Sequence, residues 1–220
     1  MGDHVAGGKA GAMGSIYRAR GSDGKEYAIK FPKLTDDDGN SLQSFHLDTN
    51  IDKIVYEARY LKILTKQKRV ASIIRYIDES NDSSRFFVVL ELIDGKSLQA
   101  LLQEGRKFDQ DDVKRISLDI LMALRHLHKN SILHRDLKPG NLMVKRDGTV
   151  VLIDFGLALD VKFKQRPRRT DEGFHHSMRG TPGYTCHHGM VEPYQLPDGS
   201  YQTATPKTSE LCDIYAVGST

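Results

Sequence analysis

Two aspartates and an asparagine are the residues whose types and spacing most clearly suggest chemistry. Asp136 and Asn141 belong to the segment HRDLKPGN, and Asp154 begins the segment DFG further along the chain. Short strands are predicted beside both segments, so three oxygen-bearing side chains would be held at strand ends. Such oxygen atoms suit a Mg²⁺ ion bound together with the phosphates of a substrate. Any one of these residues alone would be interpreted as a turn former.

A glycine-rich stretch near the N-terminus is a second candidate for phosphate binding. The residues GAMGSI, 11–16, lie between two predicted strands, where a backbone without bulky side chains can approach phosphates. Glycine-rich hairpins without ligands are common, so this signal is weak by itself. Lys30 strengthens it, because Lys30 shares a strand face with Ala28 and can reach phosphate oxygens.

The elements that must position these residues begin with strand, turn and strand over residues 15–30. Residues 31–50 lack any period and are predicted to be a loop. An amphipathic helix is predicted from Asn50 onward, capped by Asp48, Thr49 or Asn50, and it carries Glu57. A hairpin is predicted from residues 73–77 and 85–93.

The second half contains a stronger helical pattern. The apolar stripe of that helix is predicted to face the core behind an N-cap at Asp109, and it consists of Val113, Ile116, Ile120, Leu124 and Leu127. A hairpin is predicted from Leu142–Lys145 and Val150–Ile153 around Asp147 and Gly148. Residues 162–210 have little periodicity and are typical of a long loop, and a helix is predicted to begin near Asp213.

Composition limits the classes of function. The 220 residues carry 32 Lys and Arg against 29 Asp and Glu, a formal net charge of +3. This excess of positive charge is too small for a protein that coats nucleic acid, so we expect no nucleic-acid partner. We also expect no membrane span and no signal peptide. Two cysteines, Cys186 and Cys212, cannot form a disulfide framework, which favours a reducing compartment and hence a cytoplasmic protein.

Together these motifs resemble the eukaryotic-type Ser/Thr protein kinase family, whose signature combines a Gly-rich loop, an Ala-x-Lys strand, HRDLKxxN and DFG. The resemblance runs from about Gly8 to Thr220. It implies a two-lobed α+β fold, with an antiparallel sheet and one helix in an N-lobe over residues 1–93. A partial helical C-lobe would occupy residues 94–220.

The activity implied by the resemblance is transfer of the γ-phosphoryl group of ATP, with Mg²⁺, to Ser or Thr hydroxyls of a protein substrate. Asp136 would orient the attacking hydroxyl and accept its proton, with Lys138 near the γ-phosphate. Lys30 would hold the α- and β-phosphates and pair with Glu57. The metal ligands would be Asn141 and Asp154.

The resemblance also places the nucleotide and the peptide. The expected nucleotide-binding residues are Gly8, Gly11, Gly14, Ile16, Ala28, Lys30, Leu90, Glu91, Leu92 and Met143. An internal spine would consist of Leu61, Tyr76, His134 and Phe155. The segment GTPGY, 180–184, resembles the family's loop that contacts the substrate. Lys138 with Gly180-Thr181 goes with Ser/Thr rather than Tyr substrates.

Some residues depart from the family pattern. Lys9 stands where the first glycine of GxGxxG is expected. The family's Ala-Pro-Glu falls on Cys186-His187-His188, so the glutamate that anchors this segment is absent. The remaining C-lobe helices would follow Thr220. The chain is therefore either a fragment or a naturally minimal kinase, like some bacterial effectors that act in the host cytosol.

Other interpretations stay open. The chain could be a nucleotide-binding pseudokinase that acts as a scaffold, or it could phosphorylate a small molecule or lipid, which the 180–184 segment disfavours. Phosphorylation of Thr170 or Ser177 could order the basic segment 162–169 by pairing with Arg135, or that segment could be a solvated loop. A zinc site would have to use several residues that match no standard spacing, namely His175, His176, Cys186, His187, His188 and Cys212. The sequence does not indicate an oligomeric state.

Overall fold

An antiparallel sheet of four strands forms the first part of the fold, in the order β1-β2-β4-β3. The computed structural model describes residues 14–33, 44–67, 69–80, 86–162, 180–186, 194–195, 201–202 and 209–220. The strands are β1 (Gly14–Arg20), β2 (Glu26–Pro32), β3 (Tyr76–Glu79) and β4 (Val88–Glu91). Gly24, with a positive φ of 77°, allows the tight turn between β1 and β2. The predicted strand, turn and strand are confirmed.

Helix α1 (Ser44–Lys66) lies against β2 and β3. Its buried residues include Ile54, Ala58 and Leu61, at the predicted helical spacing. The predicted start was wrong, because the helix begins before Asn50 and includes part of the predicted loop. Asn50 does not cap the helix; its side-chain Nδ2 donates to the Lys33 carbonyl oxygen at 3.1 Å. This contact ties the N-terminal half of α1 to the end of β2.

Among the described residues, the second part of the fold consists of short strands and three helices. It contains β5 (Gly95–Ser97), α2 (Leu98–Gln103), α3 (Gln110–Lys129), β6 (Ile132–Leu133), a 3-10 turn (Pro139–Asn141), β7 (Leu142–Lys145), β8 (Val150–Leu152), β9 (Leu159–Asp160), β10 (Tyr194–Gln195), β11 (Tyr201–Gln202) and α4 (Glu210–Gly218). The sheets are β5-β7-β8, β6-β9 and β10-β11. Sheet and helices together confirm the α+β class.

Helix α3 is the central helix of this second part. Asp109 caps it, because its carboxylate accepts from the backbone N–H groups of Asp111 and Asp112. Four of the five predicted core positions are buried, whereas Val113 is 52% exposed and was assigned wrongly to the core face. Val113 lies in the first turn of the helix, three positions before Ile116, where burial begins.

The two parts share one hydrophobic core. Backbone bonds also join them directly: the Ile74 N–H donates to the Leu152 carbonyl at 3.1 Å, and the Leu152 N–H donates to Ser72 at 2.9 Å. The residues that follow α1 therefore pair with β8, immediately ahead of Asp154. Among the described helices, none combines the length and apolar character needed to cross a membrane.

Candidate active site

A buried lysine joins three elements that are far apart in sequence. Lys30 on β2 donates from Nζ to Glu57 Oε2 at 2.7 Å and to Asp154 Oδ1 at 3.0 Å. Glu57 comes from α1, and its Oε1 accepts from the Phe155 backbone N–H at 3.2 Å. Lys30 and Glu57 are 5% and 0% exposed, so water does little to screen their charges. The sheet, α1 and the DFG segment thus meet at one ammonium group.

Burial and charge act in opposite directions in this cluster. Burial alone would lower the pKa of Lys30, but the carboxylates of Asp154 and Glu57 raise that pKa above its usual range. Burial raises the pKa of Glu57 in spite of Lys30. Burial would also raise the pKa of Asp154, yet the Lys30 ammonium holds it below its usual range. The Lys30 ammonium therefore favours the ionised form of both carboxylates, and burial opposes it.

Several predicted nucleotide residues share the sheet face of Lys30. Ile16 pairs with Lys30 across β1 and β2, and Ala28 pairs with Leu90 across β2 and β4. Ala28 and Leu90 are 9% and 4% exposed, whereas Ile16 is 42% exposed. Met143, on β7, packs against the same core from the second part of the fold. Apolar side chains from both parts thus flank the region next to Lys30.

The predicted backbone contacts at the end of β4 are only partly available. The Glu91 N–H already donates to the Arg75 carbonyl oxygen at 3.0 Å, and the Glu91 side chain accepts from the Arg75 N–H at 3.0 Å. A ligand would therefore have to compete with the Arg75 carbonyl oxygen for the Glu91 N–H group. Leu92 follows the strand and packs partly against the core.

The carboxylate of Asp136 is held at both oxygen atoms. Oδ1 accepts from the Thr181 hydroxyl at 2.7 Å, and Oδ2 accepts from Asn141 Nδ2 at 3.0 Å. Lys138 Nζ lies 2.9 Å from Oδ2 and donates to Thr181 Oγ1 at 2.7 Å. Asp136 is 4% exposed. A lysine, an amide and a hydroxyl therefore fix one carboxylate in a largely dry setting.

Two residues of the site, one in the loop that carries Asp136 and one in the DFG segment, have an unusual backbone. Arg135 has a φ of 66° and Asp154 a φ of 62°, both in the left-handed region. Each such residue costs about 1–3 kcal/mol unless its surroundings hold it. Asp213, in the first turn of α4, holds the first: its carboxylate accepts from the N–H groups of His134 and Arg135, each at 2.9 Å. His128 Nε2 lies 2.9 Å from the same carboxylate.

Asp213 is a functional residue that sequence reasoning missed. It was predicted only as the start of a helix, because nothing in its neighbourhood links it to residues 134 and 135 far upstream. Burial would raise its pKa, but the hydrogen bonds from His128 and the two backbone amides hold the pKa below its usual range. Asp213 is 2% exposed and its carboxylate is ionised. A buried, ionised carboxylate indicates that this residue has a specific role, here the support of the catalytic-loop backbone.

The donor set around Asn141 and Asp154 fits Mg²⁺. Asn141 donates through Nδ2 to the Asp136 backbone oxygen at 2.7 Å as well as to its carboxylate, so its carbonyl Oδ1 is the atom that it would offer to a metal. Oδ1 of Asp154 accepts from Lys30 and from the Gly156 N–H, so Oδ2 is the atom that Asp154 would offer to a metal. Mg²⁺ prefers such hard oxygen donors and completes its shell with phosphates and water.

The arrangement of Lys30, Asp136 and Asp154 agrees with the sequence similarity of this chain to a known family. The model of the protein kinase domain matches residues 8–220. The chain belongs to the protein kinase family. The kinase family uses ATP and Mg²⁺ in general, and the resemblance predicted from the motifs is confirmed.

Known relatives of this kinase domain carry Ser/Thr kinase names. Serine/threonine-protein kinase KIC1 of Saccharomyces cerevisiae is 30% identical over 217 residues, covering 94% of this chain and 18% of that protein. Serine/threonine-protein kinase Nek10 of Mus musculus is 31% identical over 228 residues, covering 98% of this chain and 18% of that protein. Mitogen-activated protein kinase kinase kinase 2 of Arabidopsis thaliana is 28% identical, covering 96% of this chain and 29% of that protein. The chain spans less than a third of each.

Two members of the predicted spine of the kinase, His134 and Phe155, are in direct contact. Their rings meet edge to face with centroids 5.0 Å apart, and both side chains are 0% exposed. Leu61, also 0% exposed, and the partly buried Tyr76 belong to the same core. The contact between His134 and Phe155 joins the catalytic loop to the DFG segment. The continuation of the spine through Leu61 and Tyr76 stays a prediction.

Other predicted residues of the kinase lie outside the described residues. These are Gly8, Gly11, Thr170, Ser177 and the four histidines of the zinc hypothesis, His175, His176, His187 and His188. Gly14 is described, and there a Cβ atom would collide with the Phe31 backbone. Cys186 and Cys212 form a disulfide with each other, which the sequence analysis did not expect.

Proposed function

We propose that this kinase domain transfers the γ-phosphoryl group of ATP, with Mg²⁺, to Ser or Thr hydroxyls of protein substrates. The observation that carries the proposal is the doubly held carboxylate of Asp136 beside Lys138. A carboxylate fixed in this way can orient an incoming hydroxyl and receive its proton. The Ser/Thr names of the relatives support the same class of acceptor.

In the proposed reaction, the hydroxyl oxygen forms a bond to the γ-phosphorus while the bond from that phosphorus to the β–γ bridging oxygen breaks. ADP leaves, and the hydroxyl proton passes to Asp136. The transition state is loose and highly charged, so positioning and charge neutralisation supply most of the rate enhancement. Lys138, which is 28% exposed at its side chain, can turn its ammonium toward the transferred group.

Lys30 would hold the α- and β-phosphates, and Glu57 would keep the ammonium in position. Asn141 and Asp154 would hold Mg²⁺, which when bound neutralises charge on the phosphates. Gly14, Ile16, Ala28, Leu90, Leu92 and Met143 would surround the nucleotide, with the Glu91 carbonyl as a hydrogen-bond acceptor. Gly8 and Gly11 would complete the phosphate cover.

Thr181 supports a peptide substrate in particular. Its hydroxyl bridges Lys138 and Asp136, so the 180–186 segment contacts the reacting groups directly. A kinase of small molecules or lipids would need no such peptide-facing segment beside its base. We also propose a cytoplasmic location, since two cysteines are too few for a disulfide framework. In such a reducing compartment the single Cys186–Cys212 disulfide would form only transiently.

The test is transfer of radiolabel from ATP in the presence of Mg²⁺, to the chain itself and to a panel of Ser, Thr and Tyr peptides. Wild type and Asp136→Ala are compared, and nucleotide binding is measured for both with a fluorescent ATP analogue. We expect label on Ser and Thr only, lost in Asp136→Ala, with nucleotide binding retained. Label on Tyr alone would contradict the acceptor class. Nucleotide binding without any label, in this chain and in one extended past Thr220, would favour the pseudokinase scaffold.

A further inference from the structure

The Cys186–Cys212 disulfide lies beside the catalytic loop. Its two Cα atoms are 5.2 Å apart, within the usual range for a disulfide, and its partners are separated by 26 positions in sequence. Cys186 ends the described 180–186 segment and is 6% exposed. Cys212 lies in the first turn of α4, next to Asp213. The bond therefore ties the substrate-contacting segment to the helix that supports the catalytic loop.

Each end of the disulfide is one residue away from a contact that shapes the site. Next to Cys186, the Thr185 hydroxyl donates to the Thr181 carbonyl at 3.1 Å, and Thr181 in turn donates to Asp136. Next to Cys212, Asp213 holds the backbone of His134 and Arg135. The disulfide closes a ring of contacts that runs from α4 through the catalytic loop to Thr181.

The 180–186 segment packs closely against that loop. Gly180 has a positive φ of 120°, and a Cβ atom there would come within 2.9 Å of the Arg135 carbonyl oxygen. The Tyr184 N–H donates to the Thr181 carbonyl at 3.0 Å, which forms a tight turn. Within this segment the described side-chain bonds to the catalytic loop all come from Thr181, near its start. The covalent bond at Cys186 holds its other end.

We propose that Cys186 and Cys212 form a redox modification site: their reversible disulfide clamps the 180–186 segment in the position that supports phosphoryl transfer, and reduction releases it. This inference rests on the proposed kinase function. The disulfide lowers the conformational entropy of the state in which the 180–186 segment is detached. It therefore favours the attached, ordered state of that segment. Position 188, where the family resemblance places an anchoring glutamate, is a histidine, so the disulfide takes over that anchoring.

The chemistry is thiol–disulfide exchange with a small disulfide as oxidant. One thiolate attacks oxidised glutathione and releases one reduced glutathione, and the second thiolate then displaces the other. In total the thiols of Cys186 and Cys212 lose two protons and two electrons, and one glutathione disulfide becomes two molecules of reduced glutathione. A dithiol reductant reverses the reaction. Cys212 is partly exposed whereas Cys186 is buried, so we expect a reagent to react first at Cys212.

The test uses the full 220-residue chain after oxidation with glutathione disulfide and after reduction with dithiothreitol, with both removed before assay. Alkylation and mass spectrometry count the free thiols in each sample. We expect no free thiol after oxidation and two after reduction, with peptide phosphorylation at least about fivefold slower in the reduced chain. Nucleotide binding should be the same in both. Cys212→Ser and Cys186→Ala are the matched variants, and neither should respond to the redox treatment.

A second measurement separates this proposal from the kinase function. Hydrogen exchange at the Tyr184 amide, which donates within the clamped segment, should be faster after reduction. Free thiols in the oxidised chain would overturn the proposal, as would equal phosphorylation in two samples whose thiol states are verified. If nothing is phosphorylated in either state, by this chain or by one extended past Thr220, the kinase function is overturned instead. In that case the hydrogen-exchange rate of the Tyr184 amide tests the disulfide clamp independently of activity. Equal rates in the oxidised and reduced chains would overturn the clamp.

Discussion

The phosphate side and the hydroxyl side of the site are held in different ways. On the phosphate side, Lys30 and two carboxylates from separate elements form a buried cluster of full charges. On the hydroxyl side, Asp136 is fixed by an amide, an ammonium and a hydroxyl, on a backbone that Asp213 supports. The first side depends on how the sheet and α1 pack, and the second depends on local loop geometry. Variants should therefore fail differently on the two sides.

Asp154→Ala should have the largest effect. It removes a metal ligand and also one of the two carboxylates that neutralise Lys30. We expect metal-dependent ATP binding to be lost and turnover to fall by about 10²–10³-fold or more. Titration with a fluorescent nucleotide at several Mg²⁺ concentrations measures the first effect. Asp136→Ala should keep binding while transfer disappears, and Asp111→Ala, exposed on α3, should change neither. If Asp154→Ala bound nucleotide normally, loss of nucleotide binding would not distinguish the phosphate side from the hydroxyl side.

Asp213→Asn should lower stability by about 2–3 kcal/mol, because one backbone N–H would face an amide donor in place of a carboxylate oxygen. Since the pKa of Asp213 is lower in the folded chain, its stabilisation is complete above about pH 3.9. It is lost as the pH falls through the folded pKa. Urea unfolding at several pH values would show a shallower acid loss in the variant. The matched control is Glu210→Gln, exposed in the same first turn; equal behaviour of the two would contradict the assignment.

Glu57→Gln tests the charge cluster with little change of shape. Lys30 would keep one full ionic partner, Asp154, and its ammonium would be less firmly positioned. We expect kcat/KM for ATP to fall by about tenfold to a hundredfold, because small misplacements of a phosphate-binding group are costly. Steady-state kinetics with varied ATP would measure this. If the variant changed only the KM for the peptide, Glu57 would act on the hydroxyl side of the site and not on the phosphate side.

Thr181→Val should have the smallest effect. It removes the hydroxyl that joins Lys138 to Asp136 but leaves Asn141 and Lys138 on the carboxylate. We expect peptide phosphorylation to fall about tenfold, with unchanged affinity for ATP, as for the loss of one hydrogen bond to a charged group. Thr181→Ser keeps the hydroxyl and should retain most of the activity. A variant whose ATP affinity falls as much as its peptide rate would argue against a role confined to the hydroxyl side.

Local signals in the sequence predicted the strands around the site and the cap of α3, because turn residues and periodic side chains act over a few positions. The motif residues Lys30, Asp136 and Asp154 were likewise recognisable from their segments. Asp213 and the Cys186–Cys212 pair were not, since both depend on contacts between residues far apart in the chain. The early start of α1 was missed because residues 31–50 show no apolar period that would indicate a helix.

The two ends of α1 are attached to different halves of the molecule. Asn50 bonds to the end of β2, while the residues that follow the helix pair with β8. If the four-stranded sheet tilts relative to β8, Asn50 must move with the sheet, while the residues that follow α1 stay with β8. Glu57 lies between these two attachments in the sequence. We therefore expect the contact with Lys30 to survive small tilts and to open only when one end of the helix is detached.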